Sequence, residues 1–503
     1  MSFLRTLSKL TAFLFLLAAS GAGQGAEPPD VTSGKRYSLS APFLRILSKL
    51  DDTATITYYA SETVPSWFEA RKRSILDKLR EIEAAGKGHI AVEIINPTVN
   101  KELAEKLANE GFQHEVVDVT KDKHTASTIF TGIKVACRKK VGDIPAVGEA
   151  EQLEYLIGSK ILELTLVRKP IIAVHVSAAP QQPQMTTGQK PQGSGYEWLQ
   201  YGQWEGAKEK FEVKSVDLSE NNSIPADAVL LILARPKDLN ERQRYEVIRY
   251  LAGGGKVMLI ASPFKLSQES GWRAEKTLTG LEDYLNAAGI SFGAGVVADH
   301  SSLQMPKDNM LTGEVNAGRF PFYVKIVESN VDQESVLTRF MPALLVPIAA
   351  EIKLDADVLN KNGLSHRVLA KTSKQSWTVP LSETINPDRE LKYDPETQVY
   401  TGSKNVFVMV EGEFPFPYEG KPAPEWKAAA PSEGDKDKKP AEPAKVARKP
   451  GALVLCSAPE AFHAVYLSQR QLGNQMQANA SIIVNIAETF GLGEDLMKLR
   501  LKH

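Results

Sequence analysis

Two patterns of apolar and polar positions alternate along the chain, and together they predict an α/β protein. Apolar residues three and four apart mark amphipathic helices. "SLSAPFLRILSKL" has a serine cap and Pro42 in its first turn, and "SWFEARKRSILDKLREIEAAGKG" is closed by Gly86 and Gly88. "NKELAEKLANEGF", "EAEQLEYLIGSKILELTLV", "NERQRYEVIRYLAGG", "TGLEDYLNAAGI" and "GNQMQANASIIVNIAETFG" are further helices. Between them lie short runs suited to strands: "ATITYYAS", "HIAVEIINP", "KPIIAVHVS", "DAVLLILAR", "KVMLIASP", "KNVFVMVEGEF" and "GALVLCSAPEAF". The strands after residue 170 are continuously apolar rather than alternating, which suits a parallel sheet covered on both faces.

The order of elements sets out the domains. Helix, strand, helix, strand, helix and then strands over 36–150 form an N-terminal α/β domain, compact like a thioredoxin-type fold. Where a thioredoxin keeps its cysteines this chain has "ASETVPSW", so the redox pair is absent. A connecting helix over 151–170 leads to a second α/β series over 171–420. Residues 421–450, "KPAPEWKAAAPSEGDKDKKPAEPAKVARKP", are proline, alanine and charge; they cannot bury a core and are expected to be a disordered insertion. The strand and helix of 451–503 are expected to complete the second domain. "AAPQQPQMTTGQKPQGSG" reads as a flexible loop.

The glycine run in "YLAGGGKVMLIASPF" carries a lysine and a serine, so it invites a chemical reading. A phosphate loop runs strand, glycines, then helix. Here the order is helix, glycines, strand, so the glycines end a helix and Lys256 opens a strand. Ser262 follows that strand in "IASPF" rather than in the G-x-S-x-G of a nucleophile elbow, and reads as a cap or turn serine.

Length and charge narrow the picture. At 503 residues the chain exceeds one ordinary core. A formal net charge of −1 argues against general nucleic-acid binding, which needs a basic surface. The N-terminus, "MSFLRTLSKLTAFLFLLAASGAGQGAEPPD", has a basic start, a short apolar run and small residues, the pattern of a signal peptide over 1–25 cut after Ala22 or Gly25; the alternative is an uncleaved anchor. No later segment is long enough to span a bilayer, and "FMPALLVPIAAEI" is too short and carries two prolines. Cys137 and Cys456 sit in apolar runs and read as buried small hydrophobes, with a disulfide between them as the alternative. No C-x-x-C or H-x-x-x-H spacing occurs, so no metal or other cofactor is expected.

Three segments carry site-like chemistry. Asp299 and His300 follow the strand "GAGVVAD" at the end of a sheet, where α/β folds bind ligands. Thr372, Ser373, Lys374 and Trp377 in "TSKQSW" offer hydroxyls, an amine and an aromatic platform for a glycan or peptide. Arg319 in "AGRFPF" belongs to a turn or a partner surface. Each also has a plain reading: a solvated loop pair, a tryptophan packed at a sheet edge, a turn. The basic face of "FEARKRSILDKLREIEAAGK" reads as a solvated helix face, with anionic lipid contact as the alternative.

Several segments, in order, resemble the GldG-type auxiliary subunits of ABC transport systems. They are "YSLSAPFLRILSKLDDTATITYYAS", "HIAVEIINP", "DAVLLILARPKDLNERQRYEVIRYLAGGGKVMLIASP", "LAKTSKQSW", "VFVMVEGEF" and "GNQMQANASIIVNIAETFG". The resemblance covers about residues 36 to 500 and implies an extracytoplasmic, non-catalytic protein that accompanies an ABC ATPase and a permease. It also implies a second domain similar in fold to class I glutamine amidotransferases, which are flavodoxin-like, without their catalysis. Ser262 stands at the turn where such an enzyme needs a cysteine. The expected role is an accessory, interaction subunit, periplasmic and membrane-associated through its partners, contacting the permease or an exported polymer or glycan. The alternatives are a free periplasmic glycan- or solute-binding protein, and a hydrolase using Ser262 or the Asp299–His300 pair.

Overall fold

In the computed structural model the described residues are 39–120, 123–177, 194–266, 271–308, 315–339, 341, 343–386, 393–426, 445–468 and 473–500. The signal segment, most of the Gln/Pro/Gly loop and residues 427–444 of the expected insertion lie outside them. The chain is α/β, as the pattern predicts. Residues from Leu39 onward belong to one compact unit.

The first layer begins with α1 (Ala41–Leu47), whose N-cap Ser40 accepts from the Phe43 N–H. It continues through β1 (Ala54–Ala60), α2 (Ser66–Ala85), β2 (Ile90–Ile95), α3 (Lys101–Asn109), β3 (Gln113–Thr120), β4 (Lys123–Cys137), β5 (Lys140–Ile144) and α4 (Leu153–Thr165). β2 and β1 pair in parallel across α2, and β4 runs antiparallel to β1, β3 and β5. The α2 charges are largely occupied rather than free. Arg71 pairs with Glu149, Lys72 donates to the Ser61 and Glu62 carbonyls, and Lys78 pairs with Glu81 and Glu154. The connecting helix α4 buries Leu153, Ile157 and Ile161 in this first core.

The large sheet comprises β6 (Ile171–Val176), β7 (Glu212–Ser215), β8 (Ala228–Ala234), β9 (Lys256–Ile260), β12 (Ile290–Asp299), β16 (Ala350–Leu354), β17 (Leu364–Lys371), β18 (Ser376–Pro380), β19 (Asn405–Gly412) and β20 (Gly451–Cys456). Its order is β18-β12-β16-β19-β20-β9-β8-β6-β7, with β17 also on β19. From β20 to β7 every pairing is parallel; from β20 to β18 every pairing is antiparallel. The expectation of a parallel sheet therefore holds for half of it. Continuous apolar runs report burial on two faces, not strand direction. In β8, Leu230 and Ile232 enter one core while Leu231 and Leu233 enter the other. Residues 413–450 join β19 to β20, which are antiparallel neighbours.

Helices cover both faces of the sheet: α5 (Glu197–Gln200), α6 (Ala207–Lys210), α7 (Glu241–Ala252), α8 (Glu282–Ala288), α9 (Ala356–Lys361) and, beyond the short α10 (Ala464–Ser468), α11 (Gly473–Leu492); α12 (Glu494–Arg500) follows it. α7 starts with a capping box between Asn240 and Gln243. It ends in the glycine run. The Gly255 N–H bonds the Tyr250 carbonyl and the Gly254 N–H bonds the Leu251 carbonyl, with Gly254 at φ +97°. These two bonds make a Schellman cap, so the glycines are a helix stop and Lys256 opens β9, as expected. Two short strands, β10 (Phe264–Leu266) and β11 (Ala274–Lys276), pair with each other, and β13 (Ser302–Asp308), β14 (Val315–Val327) and β15 (Ala343–Pro347) form a separate small sheet.

The last stretch is shared between two cores. α11 packs Ile483 and Ile486 under the large sheet, while α12 packs Leu499 into the first core beside α1 and α4. Charges follow the same route. Glu488 on α11 is fully buried, bonded by Lys210 and faced by Arg500, and the Tyr155 hydroxyl of α4 donates to it at 3.4 Å.

Candidate functional site

Antiparallel pairing of β12 with β18 sets Asp299 opposite Ser376 and Ala298 opposite Trp377. That register brings together segments more than seventy residues apart. Asp299 is fully buried. Its carboxylate accepts from the Ser301 N–H at 2.8 Å, the Ser373 N–H at 2.6 Å and the Ser373 hydroxyl at 2.5 Å. Burial pushes its pKa up against these bonds. The His300 N–H bonds the Gln375 carbonyl, and its ring Nδ1 lies 2.9 Å from the Tyr393 hydroxyl. Arg319, from β14, donates to the His300 carbonyl at 2.6 Å. Burial, then the Arg319 charge, pushes the His300 pKa down, against the pull of Asp299.

The "TSKQSW" loop knots itself to the sheet. Ser376 Oγ gives its proton to the Gly402 carbonyl at 2.6 Å, so Thr372 Oγ1, 2.8 Å away, donates to Ser376 and accepts from the Lys404 N–H. Trp377 keeps only 7% of its surface open and packs against Tyr393 and Tyr400, with ring centroids at 4.9 and 5.9 Å. It is a sheet-edge anchor rather than an open aromatic platform. Lys374 is exposed, while His300 and Arg319 are half-buried. All seven sequence-selected residues thus lie at one end of β12 and β18; Asp299, Thr372 and Trp377 are buried there, and Lys374, His300 and Arg319 lie on the accessible rim, with Ser373 half-buried between the two groups.

The arrangement is not a nucleophilic triad. Ser373 donates straight to Asp299, and the His300 Nδ1 faces Tyr393 instead of either. Ser262, buried after β9, has no hydrogen-bond partner for its hydroxyl among the described residues, so it is neither a cap nor engaged with a base there. Cys137 and Cys456 are free and buried, and burial pushes the Cys456 thiol up to about 12, away from the reactive thiolate. Among the described residues no His/Cys/Asp/Glu group could hold a metal ion.

A second polar cluster, which sequence reasoning passed over, lies at the carboxyl ends of the parallel strands. Arg235 directly follows β8 and donates to Glu460 at 3.0 Å. Tyr196 stacks edge-on against His463 at 5.3 Å, and the Trp198 indole donates to the Phe462 carbonyl at 2.8 Å. Burial pushes the Tyr196 pKa up and the His463 pKa down. The one local signal was an arginine placed immediately after the apolar run "AVLLILA"; Tyr196, Glu460 and His463 come from segments that only the fold unites.

A family model described as "ABC-type uncharacterized transport system" matches residues 183–486, more than half of the chain. The chain belongs to that family. Membership places it among the auxiliary proteins of ABC-type transport systems. A second model, for a domain of unknown function, matches residues 33–136. An uncharacterized protein from Borreliella burgdorferi is 20% identical over 400 residues, 78% of this chain and 74% of the relative. Among solved structures, the mmIFT52 N-terminal domain matches 64% of this chain and 98% of its own at 12% identity and a TM-score of 0.33. A ThuA-like protein from Bacteroides uniformis matches 48% of this chain and 79% of its own, at 10% identity and 0.26. Among the described residues no helix is long and apolar enough to cross a membrane.

Proposed function

We propose that the protein is a non-catalytic, extracytoplasmic accessory subunit of an ABC-type transport system, held at the membrane by an ATPase–permease pair. Its contact surface for the permease or the exported cargo is the rim of the Asp299 cluster, with His300, Arg319 and Lys374. Family membership carries the reading. The non-catalytic part is supported by the spent chemistry of the cluster, where Asp299 and Ser373 satisfy each other and His300 serves Tyr393. The extracytoplasmic part rests on the leader pattern of residues 1–25. The thioredoxin-like reading of residues 36–150 is supported by β2-β1-β4 with its crossover helix, and the amidotransferase-like reading of the second domain by the parallel strands β20-β9-β8-β6-β7.

The test is a mild-detergent pull-down of the tagged protein from its native membranes, with mass spectrometry of partners and of the mature N-terminus. Co-purification of an ABC ATPase and permease, weakened by Arg319→Glu with Lys374→Glu, is expected, as is an N-terminus at Gly23 or Ala26. A soluble protein recovered alone would sink the transporter role.

A further inference from the structure

In the parallel half of the large sheet, chain order reverses between β6 and β8: β7 lies on one side of β6, and β8, β9 and β20 on the other. The crevice beyond the carboxyl ends at such a reversal is where open α/β sheets take ligands. Arg235 stands at that point. Its backbone is left-handed, φ +51°, a conformation rare and strained outside glycine, and its N–H is tied to the Ile260 carbonyl. The kink lets the guanidinium meet Glu460, and its side chain remains 27% open to solvent.

Polar groups here are left over. Arg235 uses Nη1 on Glu460, and its buried Nη2 has no hydrogen-bond partner among the described residues. The Tyr196 hydroxyl, on a residue only 1% exposed, faces the Arg235 guanidinium closely enough to feel its charge, but the two do not close a well-formed hydrogen bond. The Ser262 hydroxyl is buried and unpartnered too. Ile260 faces the core that contains Tyr196 and Phe462, and alternation carried two residues onward puts Ser262 on that same side. Buried donors are seldom left unmet in folded proteins, so three at one strand edge mark a place for a missing acceptor.

We propose that this edge binds a carboxylate, which takes hydrogen bonds from Arg235 Nη2 and the Tyr196 and Ser262 hydroxyls. A carboxylate fits because it accepts several hydrogen bonds and because all three groups can donate, one of them charged. Glu460 fixes the guanidinium so that its second nitrogen is presented to the ligand. This site is separate from the rim of the Asp299 cluster and stands or falls independently of the transporter role.

The test is titration calorimetry and thermal unfolding of the full chain with acetate, succinate and glucuronate, and with acetamide and glucose as uncharged controls. Saturable binding of at least one carboxylate is expected, with neither control binding. Tyr196→Phe and Ser262→Ala should each weaken it about tenfold, the scale of one bond to a charged acceptor. Both variants should keep or raise the ligand-free melting temperature, since each deletes an unmet hydroxyl. Binding of glucose in place of the carboxylates overturns the proposal. So does the absence of binding, or a fall in the ligand-free melting temperature of Tyr196→Phe, which would mean that the hydroxyl already has its partner.

Discussion

The Asp299 cluster and the Arg235 cluster are both polar, both buried at the end of the same sheet, and chemically opposite. Around Asp299 the acceptors are met: three donors converge on one carboxylate, and Thr372, Ser376 and Gly402 hand a single chain of hydrogen bonds along the loop. Around Arg235 one ion pair is made and donors remain. A satisfied cluster holds strands together, and an unsatisfied one waits for something. Residue type alone does not separate the two, because an Asp-His pair looks more like a site than an arginine after a strand does.

The comparison breaks most easily at Asp299. Asp299→Ala leaves two backbone N–H groups and a serine hydroxyl unmet in a buried place, and should cost about 3 kcal/mol. The measurement is the shift in urea midpoint at constant m-value. A loss below about 1 kcal/mol would mean that the loop holds without its carboxylate and that the cluster is free to serve a ligand.

Glu460→Ala is the matching cut in the other cluster. It strands the Arg235 charge, but that side chain is partly open, so the loss should be smaller, about 2 kcal/mol. Arg235→Met in the Glu460→Ala background should recover part of it, because no charge is then left unpaired. If the double variant is no better than the single one, the pair is not what holds this edge.

The two clusters were unequally legible in the sequence. The strands of the large sheet were readable, since runs such as "DAVLLILAR" and "GALVLC" must be buried on both faces. The direction of β12, β16, β19 and β18 was not, because burial of both faces is the same for parallel and antiparallel strands. The glycine stop after α7 was readable because helix and strand flank it in an order that a phosphate loop does not have. Asp299, His300, Arg319 and the 372–377 loop were each picked out locally, but their convergence depends on the β12–β18 register, a non-local fact. That register also buries Trp377, which a sequence can present only as an aromatic beside hydroxyls. Arg235, Tyr196, Glu460 and His463 were invisible as a group because they come from three segments spread over more than 260 residues, and none carries a motif.

The smallest expected effect is also the sharpest contrast, since acid should act with opposite signs on the two clusters. Burial raises the Asp299 pKa, so the folded state holds its proton at pH values where the unfolded chain, near 3.8, has lost it. Its contribution to stability is full below 3.8 and declines as pH rises through the folded value. Burial lowers the His463 pKa, so the unfolded chain, near 6.5, takes up a proton before the folded state does. Its contribution is full above 6.5 and declines as pH falls through that value toward the folded one. Neither slope can exceed about 1.4 kcal/mol per pH unit. Unfolding free energies in urea from pH 7.5 down to 4 separate the two: His463→Gln should flatten the loss just below pH 6.5, and Asp299→Asn should remove the acid-side gain. A wild-type acid slope left unchanged by His463→Gln would show that the ring takes up its proton at the same pH folded and unfolded, while a slope made steeper by the substitution would show a ring held protonated beside Glu460, and the Arg235 cluster would then carry a positive charge more than the carboxylate proposal assigns to it.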